Sequence, residues 1–390
     1  MQIQEYLTEI ISGLTISLMM IPESIAFSFI LGLPPSAGLH STMVMSLITS
    51  LFGGCPALIS GSTAAVATSL VGVREMLGQE YIFLAVIMGG MIQTLIGATG
   101  FYKYIYNIPK PVSSGFLIAL GVLIGLSQIQ HFKDKNTHKW FEGAEMFSLL
   151  FFSLISMLIT QYGLLILKFS NLFEFDVNIP GGLVAIITLS LLFYLIPHSV
   201  KNKTVGDNHK IESISPKIKL PNVELSVNNI LKTLPFSFAL AISGLTESLF
   251  MVKDAGNLLN IQTSALRETI TQGVANILSG LVGGIGGCVL VGQSKFNIEN
   301  GSKTRVSSIC YSLFFILFTL VLSSSIESIP MPAIIGIMMV IAIKTGDWSS
   351  LIKNFGEKNW LTVAGTSLVG ITSNSLALAI ISGSALHYFI

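Results

Sequence analysis

The sequence predicts an all-α polytopic membrane protein with about 14 membrane segments, and three observations carry that prediction. Of 390 residues 51% are hydrophobic and only 11% are charged, whereas a soluble domain carries charge at about a quarter of its positions. The charged residues gather between apolar runs, and most of those runs reach the roughly 17 to 25 residues that a spanning helix needs. Cutting at charged, Pro-rich and Asn-rich punctuation places the runs at 9–31, 34–53, 63–73, 81–101, 112–131, 144–168, 180–197, 233–252, 266–282, 289–298, 305–325, 330–344, 360–373 and 374–390. The runs opening after Ser60 and after Val289 are short, and the last two form a tight hairpin or half-spanning pair.

The first run holds Pro22 and Glu23 side by side. An ionised side chain at the centre of a membrane helix costs at least about 2.5 to 3.5 kcal/mol, so such an acid faces a cavity or a partner. The proline removes a backbone donor and kinks the helix where the acid sits. Phe27, one turn on, is placed to wall a pocket.

In the third run, GGCPALISGSTAAVAT (53–68) reads as an extended approach followed by a helix start, because Ser60-Gly61-Ser62-Thr63 precede an Ala-rich stretch beginning at Ala64. A helix that begins inside the membrane points unpaired N–H groups and about half a positive charge into the protein, which suits an anion without any Arg or Lys. Gly283 to Gly292 approaches a second short helix beginning near Gln293-Ser294, whose side chains add neutral donors. Lys295 and Arg305 read as aqueous-end residues, and Lys253 and Asp254 as the polar end of their helix.

The two halves repeat this pattern. Glu23 set on Glu247 pairs PESIAF with TESLFM, and Gly61 set on Gly292 pairs the two glycine-rich approaches. Seven segments per half is odd, so the halves enter the membrane inverted, and broken segments at matching positions of inverted repeats point to a transport site. Residues 201–232 read as a solvated loop between the repeats. Discounting that loop, Lys and Arg favour cytoplasmic termini.

Other chemistries are excluded by what is missing. The near-balance of 21 basic and 20 acidic residues gives no nucleic-acid surface. Cys55, Cys288 and Cys310 have neither CxxC spacing nor a His cluster, so neither a disulfide framework, a metal site nor another cofactor is expected. The six histidines are scattered and have no assigned role. GxSxG, HExxH and P-loop patterns are absent, which argues against an enzyme.

The stretch IPESIAFSFILGLPPSAGLHS resembles the first-segment signature of the SulP (sulfate permease) anion transporters. FGGCPALISGSTAAV, GLTESLFMVKDAGNL and FNIENGSKTR are similar to that family's third, eighth and tenth segments. The resemblance implies two inverted seven-segment repeats with half-helices in segments 3 and 10. It further implies a core domain (1–105 and 233–326) and a gate domain (106–200 and 327–390) that move against each other like an elevator. By position it implies substrate contacts at Glu23, Phe27, Ser62, Thr63, Ala64, Gly292, Gln293 and Ser294, to which the helix-start reading adds Ser60 and Gly61, with Glu247 as an acidic match in segment 8.

Departures from the family pattern shape the expected function. Many members are basic where Gln293 stands. Sodium-coupled bicarbonate members carry threonines where this chain has Met251 and Val291, so proton coupling through Glu23, with Glu247 as its repeat partner, is preferred. A STAS domain, usual at the C-terminus of members, is absent from the 390 residues.

The expectation is therefore a secondary active, proton-coupled transporter of a small inorganic anion (sulfate, bicarbonate or chloride), sulfate first, in the bacterial inner membrane. Lipid surrounds it, and a homodimer is an open alternative to a monomer. Sodium- or proton-driven bicarbonate uptake, a nucleobase-type symporter and a non-transporting scaffold or sensor are the rival readings.

Overall fold

Pro22 does not break its helix. In the computed structural model α1 (Ile3–Ile30) runs through it without interruption. The structure describes residues 3–133, 139–169, 181–195, 204–208, 215–218, 220–321, 327–353, 358–373 and 375–389; His138, His198, His209 and much of the inter-repeat loop lie outside them. The first repeat continues with α2 (Pro35–Phe52), β1 (Ser60–Gly61), α3 (Ala64–Leu77), α4 (Glu80–Thr99), α5 (Tyr102–Tyr106), α6 (Lys110–Gln128), α7 (Gly143–Phe169) and α8 (Gly181–Leu195). After α9 (Val205–Asn208) come α10 (Val227–Leu259), α11 (Ala265–Leu281), β2 (Cys288–Val289), α12 (Val291–Glu299), α13 (Arg305–Val321), α14 (Met331–Thr345), α15 (Trp348–Lys353), α16 (Lys358–Ser373) and α17 (Leu376–Phe389). Among the described residues five helices are long and apolar enough to cross a membrane, and several apolar helices are shorter.

The helices pack in two groups. α1 lies against α2 and α13, while α4 packs on α11 and α10, and α10 on α3. Separately, α6 packs on α14, α16 and α17, and α7 on α8 and α14. Close approach within the first group depends on small residues, since apolar surface alone gives helices no reason to associate in lipid. A side chain at Gly90 of α4 or Gly273 of α11 would collide with the backbone of the facing helix.

The first group is knotted together by α1's Glu9 and by arginines at the end of α2. Glu9 accepts from the backbone amides of Lys303 (3.0 Å), Thr304 (2.9 Å) and Ser307 (3.2 Å), capping the start of α13 from another helix. Arg305 bonds the carbonyls of Ser50 (3.0 Å) and Gly53, and Arg267 that of Phe52 (2.7 Å). Cations thus sit on the free carbonyls at the C-terminus of α2, where the helix dipole favours them.

Most described residues of the inter-repeat loop are exposed, as its composition suggests, but the loop is tied to the helices at two places. Val205 is fully buried, its amide bonds the carbonyl of Ile329 (2.9 Å), and Thr204 bridges Pro330. Further on, Asn222 and Glu224 are tied to Glu80 and Tyr81 at the start of α4. These are backbone contacts, which a polar sequence does not advertise.

Candidate functional site

Between the two repeats the chain makes one two-stranded antiparallel ribbon, with Ser60 paired to Val289 and Gly61 to Cys288. Because the strands are antiparallel, the helices that follow them, α3 and α12, leave in opposite directions. Both helices therefore begin beside the same ribbon. Thr63 caps α3, its hydroxyl accepting from the Val66 amide at 3.4 Å. α12 starts at Val291, two residues before the position that Gln293-Ser294 suggested, and Leu290 at its cap offers no side-chain acceptor.

Two buried acids are bonded to the second of these helix starts. Gln293 Nε2 donates to Glu23 Oε2 at 2.6 Å, and the Cys288 thiol donates to Glu247 Oε2 at 3.1 Å. The Val291 amide also bonds Glu247. With the thiol proton directed at Glu247, the Thr63 hydroxyl donates to Cys288 Sγ at 3.1 Å. The α3 cap, the ribbon and the α10 acid thus form one chain of hydrogen bonds.

A cavity of about 880 Å³ opens in front of these groups. Its walls come from both helix groups: Glu23 and Phe27 of α1, Ala64 of α3 with the cap Thr63, Glu247 of α10, and Gly292 and Gln293 of α12 face Leu117 of α6 and Ile337 of α14. Phe29 near the end of α1 contacts His131 beyond the end of α6, ring centroids 6.0 Å apart. The cavity also reaches Lys110 at the start of α6.

Six of the candidate contacts, Glu23, Phe27, Thr63, Ala64, Gly292 and Gln293, line this cavity together with Glu247. Ser60, Gly61, Ser62 and Ser294 sit behind its wall. Ser60 Oγ accepts from Gln272 (3.0 Å), Ser62 meets Thr42 (2.8 Å), and Ser294 Oγ accepts from the Ile59 amide (3.0 Å). Their polar atoms hold the ribbon in place, and Gly61 is buried within it.

Sequence reasoning missed the mouth. Lys110, Lys253, Lys295 and Lys344 all line the cavity, with Asp254 and Asp347 as the acids near them. Lys295 pairs with Asp254 at 3.1 Å, and Lys253 lies over the Tyr106 ring at 5.4 Å. Burial works to raise the Asp347 carboxyl, but hydroxyls of Ser350, Ser114 and Ser349 outweigh it and hold the acid below its usual range. Lys253 and Asp254 are readable as a helix end and Lys295 as interfacial; that they share a vestibule with Lys110 and Lys344 follows only from packing.

Residues 7–363 match the model of the sulfate permease family. "Putative sulfate transporter YbaR" of Bacillus subtilis is 32% identical over 343 residues, covering 88% of this chain and 67% of that protein. "Bicarbonate transporter BicA" of Picosynechococcus is 25% identical over 363 residues, covering 88% and 62%. The chain thus spans about two thirds of the length of these relatives. Among solved structures, the transmembrane domain of a cyanobacterial bicarbonate transporter BicA superposes with a TM-score of 0.77 at 20% identity, covering 100% of this chain and 98% of that one. Murine Solute Carrier 26 family member A9 gives 0.79 at 16%, covering 100% and 69%.

Proposed function

Because the chain belongs to the sulfate permease family, we propose that it is a proton-coupled secondary transporter of a small inorganic anion, with sulfate as the favoured cargo. It is an integral membrane protein, assigned in this reading to a bacterial inner membrane with cytoplasmic termini and a cavity open to the cytoplasm. The observation that carries the reading is the 2.6 Å bond from Gln293 to the Glu23 carboxylate at the start of α12.

A half-helix start and a neutral amide are what an anion without a fixed counterion needs. Glu23 itself takes that amide. An arriving anion competes with the carboxylate for the donor, and the two repel each other if both are charged. A proton on Glu23 removes the repulsion and turns the group into a donor. Proton and anion then favour each other's binding, and by linkage the effect is reciprocal. Glu247 is the corresponding acid on the other side of the ribbon.

Movement would carry the ribbon with its two half-helices, as part of the α1–α4 and α10–α13 group (1–105 and 233–326), past the α6–α8 and α14–α17 group (106–200 and 327–390). The cavity between the groups supports such an elevator, since its lining is shared between them.

A bicarbonate transporter is the second reading, supported by the relative of that name. Sodium coupling is disfavoured: Met251 is fully buried in an apolar cluster with Cys55 and Val289, and Val291 has no hydroxyl to offer a cation. Purified protein in proteoliposomes, given a pH gradient and radiolabelled sulfate, should show concentrative uptake on the acidic-outside gradient, unaffected by exchanging sodium for choline. Absence of flux for sulfate, bicarbonate and chloride under every gradient would sink the proposal in favour of a non-transporting protein.

A further inference from the structure

Among the described glycines, Gly292 alone has neither a left-handed backbone nor any atom within 4 Å of where a Cβ would stand. The other described glycines without such a neighbour, Gly78, Gly100, Gly143 and Gly283, all have φ between +61° and +102°, a conformation that favours glycine. Gly292 is helical, second in α12, with a backbone that any residue adopts. Neither backbone nor packing accounts for it.

Its surroundings supply a reason. Gly292 is exposed on the cavity wall between Val291 and Gln293. The first rung of the helix ladder is Ser294 N–H to Leu290 O at 3.0 Å, so the amides of residues 291 to 293 precede the ladder. The Val291 amide is used by Glu247 and the Gln293 side chain by Glu23, each a buried acid. Gly292 lies between those two positions, and the place its Cβ would take is open cavity. A methyl group there would meet no protein atom and would take up cavity volume beside the Glu23–Gln293 contact.

We infer that Gly292 is the size filter of the anion site, its missing side chain leaving the room that a tetrahedral oxyanion takes. The inference rests on the anion-transport reading above and adds a determinant of which anion passes. A substitution here should act on cargo size and not on the fold, which is the reverse of what substitution at a packed glycine such as Gly90 would do.

The test compares wild type with Gly292→Ala and Gly292→Val in proteoliposomes, using sulfate, bicarbonate and chloride, with thermal unfolding measured on the same preparations. The expected result is that loss of uptake follows anion size, sulfate falling about tenfold relative to chloride in Gly292→Ala, while the unfolding temperature stays equal or rises. Equal loss for all three anions, no change for any, or a lowered unfolding temperature would each overturn the filter. Wild type that moves none of the anions refutes the transport reading itself; active wild type with unaltered selectivity in both variants refutes only the filter.

Discussion

The side-chain amide of Gln293 and the carboxylate of Glu23, from opposite repeats of the chain, meet at 2.6 Å where α12 begins. Among the described residues no arginine or lysine pairs with this carboxylate, so it has a dipole for a partner instead of a counterion. That makes its charge state the variable of the site.

Replacing Glu23 by glutamine keeps the shape and a donor but removes the ionisable group. Wild-type sulfate uptake should rise as the external pH falls, because protonation of Glu23 and anion binding favour each other. In Glu23→Gln the uptake should be flat with pH while equilibrium sulfate binding persists. A pH profile parallel to wild type would refute the coupling role of Glu23.

Gln293→Ala removes the cavity-lining side-chain amide at the α12 start and leaves Glu23 without that partner. A hydrogen bond to a charged group is worth about 1.5 to 3 kcal/mol, so the half-saturating sulfate concentration should rise on the order of tenfold or more. Initial-rate curves over a sulfate series would measure it.

Cys288→Ala cuts the thread between Thr63 and Glu247 and leaves the acid one donor short, a loss of about 1 to 3 kcal/mol. Cys288→Ser restores a hydroxyl donor of nearly the same shape. Thermal unfolding should therefore fall for the alanine variant and recover most of the way for serine. Equal behaviour of the two would mean that the thiol acts only by filling space.

Around the mouth, four lysines outnumber two aspartates. Neutralising Lys110, Lys253 and Lys344 together with glutamine should raise the half-saturating concentration for sulfate more than for chloride when the anion enters from the cavity side. The difference should shrink at about 1 M salt, where the screening length is about 3 Å. Flux assays at two ionic strengths would separate this recruitment from a contact role.

Much of this site could be read from local sequence, and the rest could not for identifiable reasons. Glu23 stood out because a charge in an apolar run is costly, and Thr63 because a hydroxyl before an alanine run is a cap. Sequence alone places the start of α12 two residues late, because Leu290 supplies no capping side chain. Ser60 and Ser62 read as anion contacts, but their hydroxyls bond Gln272 and Thr42 behind the cavity wall. Lys110, Lys253 and Lys344 each look like an ordinary helix end. Only the packing of α5, α6, α10 and α14 brings them to one opening.

The Ser60–Val289 ribbon also bears on how the protein is made. Each repeat contributes one strand of two residues, and at membrane depth no water is present to satisfy a lone strand's amides and carbonyls. The first strand therefore waits, edge unpaired, through the synthesis of everything between residues 61 and 288. The ribbon comes into being only when the second strand has been made and paired with the first. Truncated chains that stop short of β2 should be recognised by the cell as unfinished, however many of their helices have inserted.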